Sequence, residues 1–317
     1  MQFRTQIPIS KSNHPIDYDA KMVSLGSCFA ENMSAKLDYF KFQNTCNPFG
    51  IIFNPVSIEK LVDRAVSKKY FTEKDIFLHS NMWHCFEIHS ELSNPDKAAF
   101  LISLNRLIDF ANQYLQEASH IIITYGTSWV YRSNESKEIV ANCHKIPQKE
   151  FSKELLSIQT IQESIANSIQ LVQSINPAIQ FIFTVSPVRH IKDGFIENQL
   201  SKSHLVSALH ATFDFRLSSN MSYFPSYEIM MDELRDYRFY NADMLHPNQV
   251  AIDYIWERFA ATTIADTAHE TMESVATIQK SLQHRPFNPA SESHQKFEAN
   301  LHAKIAKMVS QYSFMKF

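Results

Sequence analysis

Three times in this chain a short apolar run stops at glycine or small polar residues and gives way to a segment of helical periodicity. Met22 to Leu25 leads into Gly26-Ser27-Cys28, Ile121 to Tyr125 into Gly126-Thr127-Ser128, and Gln180 to Val185 into Ser186-Pro187. Continuous apolar runs suit strands buried on both faces, and helices between them supply the crossovers of a parallel sheet. The pattern predicts an α/β fold with helices on both faces of a mainly parallel sheet. Ligands bind such sheets at the carboxyl ends of the strands, so the three turns are expected on one face.

Glycine is scarce enough to act as a pointer. A chain of 317 residues with ordinary usage carries roughly 22 glycines, and this one has four, Gly26, Gly50, Gly126 and Gly194. Glycine is needed where φ is positive or where another group approaches closely, so each is a candidate special position. A net charge of −3, with 20% charged and 44% hydrophobic residues, indicates a globular chain and argues against a nucleic-acid partner. The first residues lack the apolar core of a secretion signal, and no run approaches the ~20 apolar residues of a membrane span. A cytoplasmic, membrane-free protein is expected. Cys28, Cys46, Cys85 and Cys143 form no C-x-x-C pair, as suits a reducing compartment.

Read in order, helix is expected around residues 31–39. A turn-rich loop follows over 44–55, then a helix over 58–68 capped by Ser57. Strands over 76–79 and 82–88 pair about Ser80-Asn81. His79, His84, Cys85 and His89 there match no zinc-ligand spacing, and packing over a cleft is the expectation. A long amphipathic helix spans 97–117, a hairpin joins 129–132 to 138–141, and helices cover 153–174 and 199–217. A short run at 221–224 precedes Pro225 and a helix to about 234. Pro247 opens a helix to about 260. The expected division is a domain over 1–262 and a helical C-terminal extension over 263–317, broken at Pro286-Phe287-Asn288-Pro289. That extension is a candidate homo-oligomerisation element.

The chemistry concentrates in two motifs. A side chain at the Gly26-Ser27-Cys28 turn lies at a helix N-terminus, which favours a thiolate or an acyl-transfer oxyanion. Asp243-Met244-Leu245-His246 places a carboxylate three residues before a histidine. The carboxylate can hold the ring through Nδ1–H and leave Nε2 to act as general base. Arg189 and His190, just past the third strand, are candidate binding groups on the same rim for a substrate anion.

These motifs occur in one order with Asn47-Pro48-Phe49-Gly50, Gly126 to Tyr131, Ala141-Asn142-Cys143-His144 and Thr184 to His190. Over residues 20–260 the chain resembles the GSCFA family, and more distantly the SGNH hydrolases. The resemblance implies a three-layer, flavodoxin-like α/β/α sheet and acyl-ester chemistry without metal or cofactor. The substrate would be a small molecule or carbohydrate acyl ester, turned over by an esterase or an O-acyltransferase. Aligning the superfamily's Gly-Asp-Ser block on Gly26 makes Cys28 the positional nucleophile, with Ser27 as the alternative. A thiol so placed is expected to have a lowered pKa. Gly50 and Ser128 fall where oxyanion donors stand, and Ser128 replaces an Asn amide. Trp129, Asn142 and His144 are candidate substrate contacts that would compensate. A ligand-binding protein without turnover is the alternative reading.

Overall fold

The computed structural model describes residues 5–212, 219–289 and 291–317. Five strands, β1 (Lys21–Gly26), β2 (Gln43–Cys46), β5 (His120–Tyr125), β9 (Gln180–Val185) and β10 (Met221–Tyr223), form one sheet in the order β10-β9-β5-β1-β2. Every neighbouring pair in it is parallel. Counted along the chain this is the 2-1-3-4-5 order of flavodoxin-like sheets, as expected. Within β5, Ile121, Ile123 and Tyr125 enter one core and Ile122 the other, the period-2 alternation of a strand buried on both faces.

One face is covered by α2 (Pro55–Val66), α3 (Lys97–Glu117), α4 (Ile158–Ile175) and α5 (Phe195–Thr212). Phe100, Leu104, Ile108, Ala111 and Leu115 of α3 and Ile161, Ile165, Ile169 and Val172 of α4 recur at helical spacing and are buried. The other face is covered by α1 (Cys28–Tyr39), α7 (Gln249–Thr263), α8 (His269–Leu282) and α9 (Glu292–Gln311). Val275 and Ile278 of α8 and Leu301 and Met308 of α9 share one cluster with Phe29, Met33 and Leu37 of α1. The C-terminal helices therefore complete a core layer of the sheet.

Beside the sheet lie the hairpin of β3 (Phe77–His79) and β4 (Met82–His84), and a three-stranded antiparallel sheet of order β7-β6-β8. Its strands are β6 (Trp129–Ser133), β7 (Ile139–Val140) and β8 (Phe151–Leu155). The remaining helix, α6 (Ser226–Glu228), continues into a π-turn at Ile229–Glu233.

Several boundaries depart from the sequence reading. The segment from Lys153 was expected to be helical, but Phe151–Leu155 pairs along the whole of β6. Its Lys-Glu-Leu composition favours helix, and the ladder overrides that preference. β2 was expected to be loop, since its Gln-Asn-Thr-Cys sequence lacks apolar residues; as an edge strand it has no need of them. α2 is capped by Asn54 rather than Ser57, and α7 by Asn248, with Pro247 just outside. α1 begins at Cys28, earlier than expected. The last residues of the expected 199–217 helix lie outside the described residues.

Candidate active site

The carboxyl ends of β1, β5 and β9 are laced together, which brings the three turns side by side. Ser27 N–H donates to Thr124 O at 3.1 Å and Ser186 N–H to Tyr125 O at 2.8 Å. Gly26 has φ +136°, and a Cβ there would stand 2.1 Å from Thr124 O, so the turn admits only glycine. The Gly26 N–H donates to Asn47 Oδ1 at 2.8 Å, which ties the β1 turn to the loop after β2.

Ser27 is the N-cap of α1. It is 1% exposed, and its Oγ accepts from Phe29 N at 3.3 Å. Ser27, the alternative nucleophile of the sequence reading, thus serves the helix end as a cap. Cys28, the first helical residue, is partly exposed. Burial pushes its thiol above the ordinary value and Glu31 adds to the effect. Lys202 and the N–H groups of Phe29 and Cys28 pull the other way without offsetting it. The expected lowering of the thiol pKa is thus reversed, as desolvation outweighs the helix terminus.

On the loop before α7, His246 Nδ1 and Asp243 Oδ2 are 2.6 Å apart. Asp243 Oδ1 accepts from the N–H groups of Leu245 at 2.8 Å and His246 at 3.0 Å. These bonds to the charged form, backbone first, hold the carboxyl down at about 2. Met244 takes a left-handed φ of 59° to close the turn. Arg189 N–H donates to Leu245 O at 3.1 Å, which fixes this loop to the segment after β9.

Arg189 also lies over Tyr237 and Tyr240, with its guanidinium 5.7 and 5.6 Å from the ring centroids. His190 stacks on Phe53 at 5.7 Å, and its Nε2 is buried without a partner. Burial, then the charges of Lys202 and His246, push its pKa down to about 3. It is therefore a neutral ring at neutral pH.

The other expected contacts are engaged elsewhere. Gly50 N–H donates to Asn47 O at 2.8 Å, closing the Asn47-Pro48-Phe49-Gly50 turn, so it is not a free oxyanion donor. Ser128 is fully buried and its Oγ donates to Ser201 O at 3.0 Å. Trp129 Nε1–H is spent on Glu197 O at 3.0 Å. Asn142 Oδ1 accepts from His144 N at 2.8 Å in a local turn. His144, 3% exposed, is 2.6 Å through Nε2 from Cys85 O and packs against His84 at 4.7 Å between centroids. In each a polar atom is engaged within the protein, although His144 Nδ1 is buried without a partner.

The GSCFA family description matches residues 21–259, and that of the C-terminal domain of GSCFA domain proteins matches residues 275–317. The chain belongs to the GSCFA family. No curated protein matches this GSCFA chain. Among solved structures it is similar to an acetyl xylan esterase, Est2A, from the rumen bacterium Butyrivibrio proteoclasticus. The identity is 10% and the TM-score 0.40, over 81% of the GSCFA chain and 66% of the esterase, just under two thirds of its length.

Two residues of the GSCFA site escaped the sequence reading. Lys202 of α5 is 1% exposed and donates from Nζ to Gly126 O at 2.6 Å and Ser186 O at 2.7 Å. Burial pushes its pKa down to about 7, against a raising contribution from Cys28. Its place among Asn198, Ser201, Leu205 and Leu209, the buried stripe of α5, is the signal that would have found it: a lysine at a core position. Asn47 is the second. Its Oδ1 is fixed by the Gly26 N–H, so the amide orientation is set, and its Nδ2 is buried with no partner. Asn47 also lines, with Gly26, Leu25, Ile52 and Val62, an apolar cavity of about 30 Å³.

Proposed function

We propose that this protein is an acyl-transfer enzyme that takes an acyl group from an ester or thioester onto Cys28, with His246 as general base held by Asp243. The observation that carries the reading is the Asp243–His246 pair, built on a loop tied to the segment after β9, while Cys28 follows β1 of the same sheet at the start of α1. A carboxylate–imidazole pair of this kind orients a base toward a nucleophile.

In the reaction, His246 Nε2 takes the Cys28 thiol proton as Sγ attacks the substrate carbonyl carbon. The tetrahedral oxyanion collapses with loss of the alkoxide, which receives that proton. Cys28 is then a thioester. Attack by water, activated in turn by His246, releases the carboxylic acid and gives esterase activity. Attack by a sugar hydroxyl gives O-acyl transfer. With Gly50 and Ser128 engaged elsewhere, the unpartnered Asn47 Nδ2–H beside the Gly26 turn is the oxyanion donor we favour. A small apolar cavity of about 30 Å³ adjoins Asn47 and Gly26, and short acyl esters are the substrates this reading expects.

One observation favours a second reading. The resting Cys28 thiol is shifted toward protonation, as in a scaffold that binds an acylated ligand without turning it over. Hydrolysis of p-nitrophenyl acetate and octanoate by the wild type, Cys28→Ala and His246→Ala separates the two. Catalysis predicts turnover of acetate above octanoate, lost in both variants. Binding of acetylated sugar by all three forms, with no turnover in any, would establish the second reading and sink the first.

A further inference from the structure

Lys202 is a buried cation for which the fold supplies no anion. Among the described residues its hydrogen bonds go to two backbone carbonyls, Gly126 O and Ser186 O, and to no carboxylate. An ammonium buried without a counter-charge is costly, and such groups either neutralise or await an anion. The two carbonyls hold Nζ between the ends of β5 and β9, so its position is set by the sheet itself and not by a flexible side chain. The groups that face it can be named. Cys28 of α1 acts on it with a sign that favours the charge; His190, from the segment after β9, carries none when neutral; and the Tyr227 ring lies 5.7 Å from Nζ. Glu31, one turn into α1, acts on Cys28 in the opposite sense. Gly26 pairs with Thr124, and the Ser27 N–H donates to Thr124 O, so the turn that carries Cys28 lies against the strand end whose Gly126 O holds Nζ. The thiol is therefore the group through which a negative charge can appear beside Lys202.

We propose that Lys202 is a positioning residue for the nucleophile: its side-chain nitrogen, pinned between two strand ends, is the counter-charge against which Cys28 ionises. The proposal rests on the reading of Cys28 as the acyl acceptor and names what makes that thiol usable despite its burial. In the step itself the S–H bond of Cys28 breaks, His246 Nε2 takes the proton, and the thiolate is left beside the Lys202 ammonium. No other reactant is required. When the acyl group arrives, the thiolate charge is consumed and His246 returns the proton to the leaving alkoxide, while Lys202 keeps its own.

The test follows alkylation of Cys28 by iodoacetamide as a function of pH, with peptide mass spectrometry to read that cysteine alone. In Lys202→Met the midpoint of the rate profile should rise by about one pH unit or more, roughly a tenfold slower reaction near neutrality, as loss of a close opposite charge implies. An unchanged midpoint in a folded Lys202→Met would overturn the proposal. Where loss of the buried lysine unfolds that variant, the reciprocal experiment uses intact Lys202. Coupling acts equally on both groups, so the titration of the Lys202 side chain, followed by NMR at Cε, should move to lower pH in Cys28→Ser; the same midpoint in both proteins would equally refute it. Neither readout needs turnover. A Cys28→Ala protein that still hydrolyses esters would remove the acyl-enzyme reading while leaving the thiol titration to stand or fall by itself.

Discussion

Asp243 shows how little sequence is needed to fix a carboxylate–imidazole pair. Two backbone N–H groups and the ring of His246 converge on one carboxylate, holding it ionised well below neutral pH. His246→Ala should leave the fold intact, since the side chain is 44% exposed, and should cut kcat by roughly 10²- to 10⁴-fold, the usual contribution of a general base. Steady-state kinetics with circular dichroism of the variant check both halves. Asn47 allows a finer substitution. Asn47→Asp keeps an oxygen for the Gly26 N–H but removes the orphan donor and places charge where an oxyanion would form. Activity should fall by about 10² or more while the thermal midpoint moves little; equal activity would exclude Asn47 from the oxyanion site. Ser27→Ala, by contrast, should cost about 1 kcal/mol of stability as a lost N-cap and retain turnover, measured by denaturant melts and ester hydrolysis.

At the scale of elements, the β1 turn is the most constrained feature. Gly26→Ala would drive a Cβ into Thr124 O, and more than about 2 kcal/mol of destabilisation is expected in urea unfolding. The C-terminal helices make a comparable claim. Met308 is 6% exposed in the cluster that also holds Phe29 and Leu37, so Met308→Ala should cost on the order of 2–5 kcal/mol, whereas a peripheral extension would tolerate it. Much of this was legible in the residues. Ile121–Tyr125 is apolar throughout because both faces are covered, and α3 and α4 repeat their apolar positions at helical spacing. Asp243 and His246 meet because their separation is local. What could not be read depends on distant partners. β8 is a strand only because β6 offers it a ladder. Ser128 is silent because Ser201, far along the chain, takes its hydroxyl. Lys202 looks like a surface charge until the stripe of α5 is seen turned inward.

For the whole molecule, burial of titratable groups makes stability depend on pH with a definite sign. His190 and His144 are pushed from 6.5 down to about 3 and about 4. Below pH 6.5 the unfolded chain binds protons that these buried rings refuse. The histidines' contribution to stability is therefore complete above 6.5 and is lost as pH drops toward 4, by up to ~1.4 kcal/mol per unit for each group. Lys202 has the same sign in another window. Its pKa falls from 10.5 to about 7, so the unfolded state holds the extra proton between them and stability rises with pH above 7. The raised Cys28 thiol opposes this rise only from about pH 9. Urea midpoints between pH 4 and 8.5 should climb throughout, and Lys202→Met should flatten the climb above pH 7. A profile level from pH 4 to 7 would contradict the burial of both histidines.

The account turns on Cys28 as the atom that accepts the acyl group. The most direct measurement is mass spectrometry of the protein quenched in acid during reaction with p-nitrophenyl acetate, with the modified peptide sequenced. The account predicts one acetyl group on Cys28, formed slowly in His246→Ala and absent from Cys28→Ala. An acetyl group on Ser27, or turnover by Cys28→Ala at the wild-type rate, would contradict it.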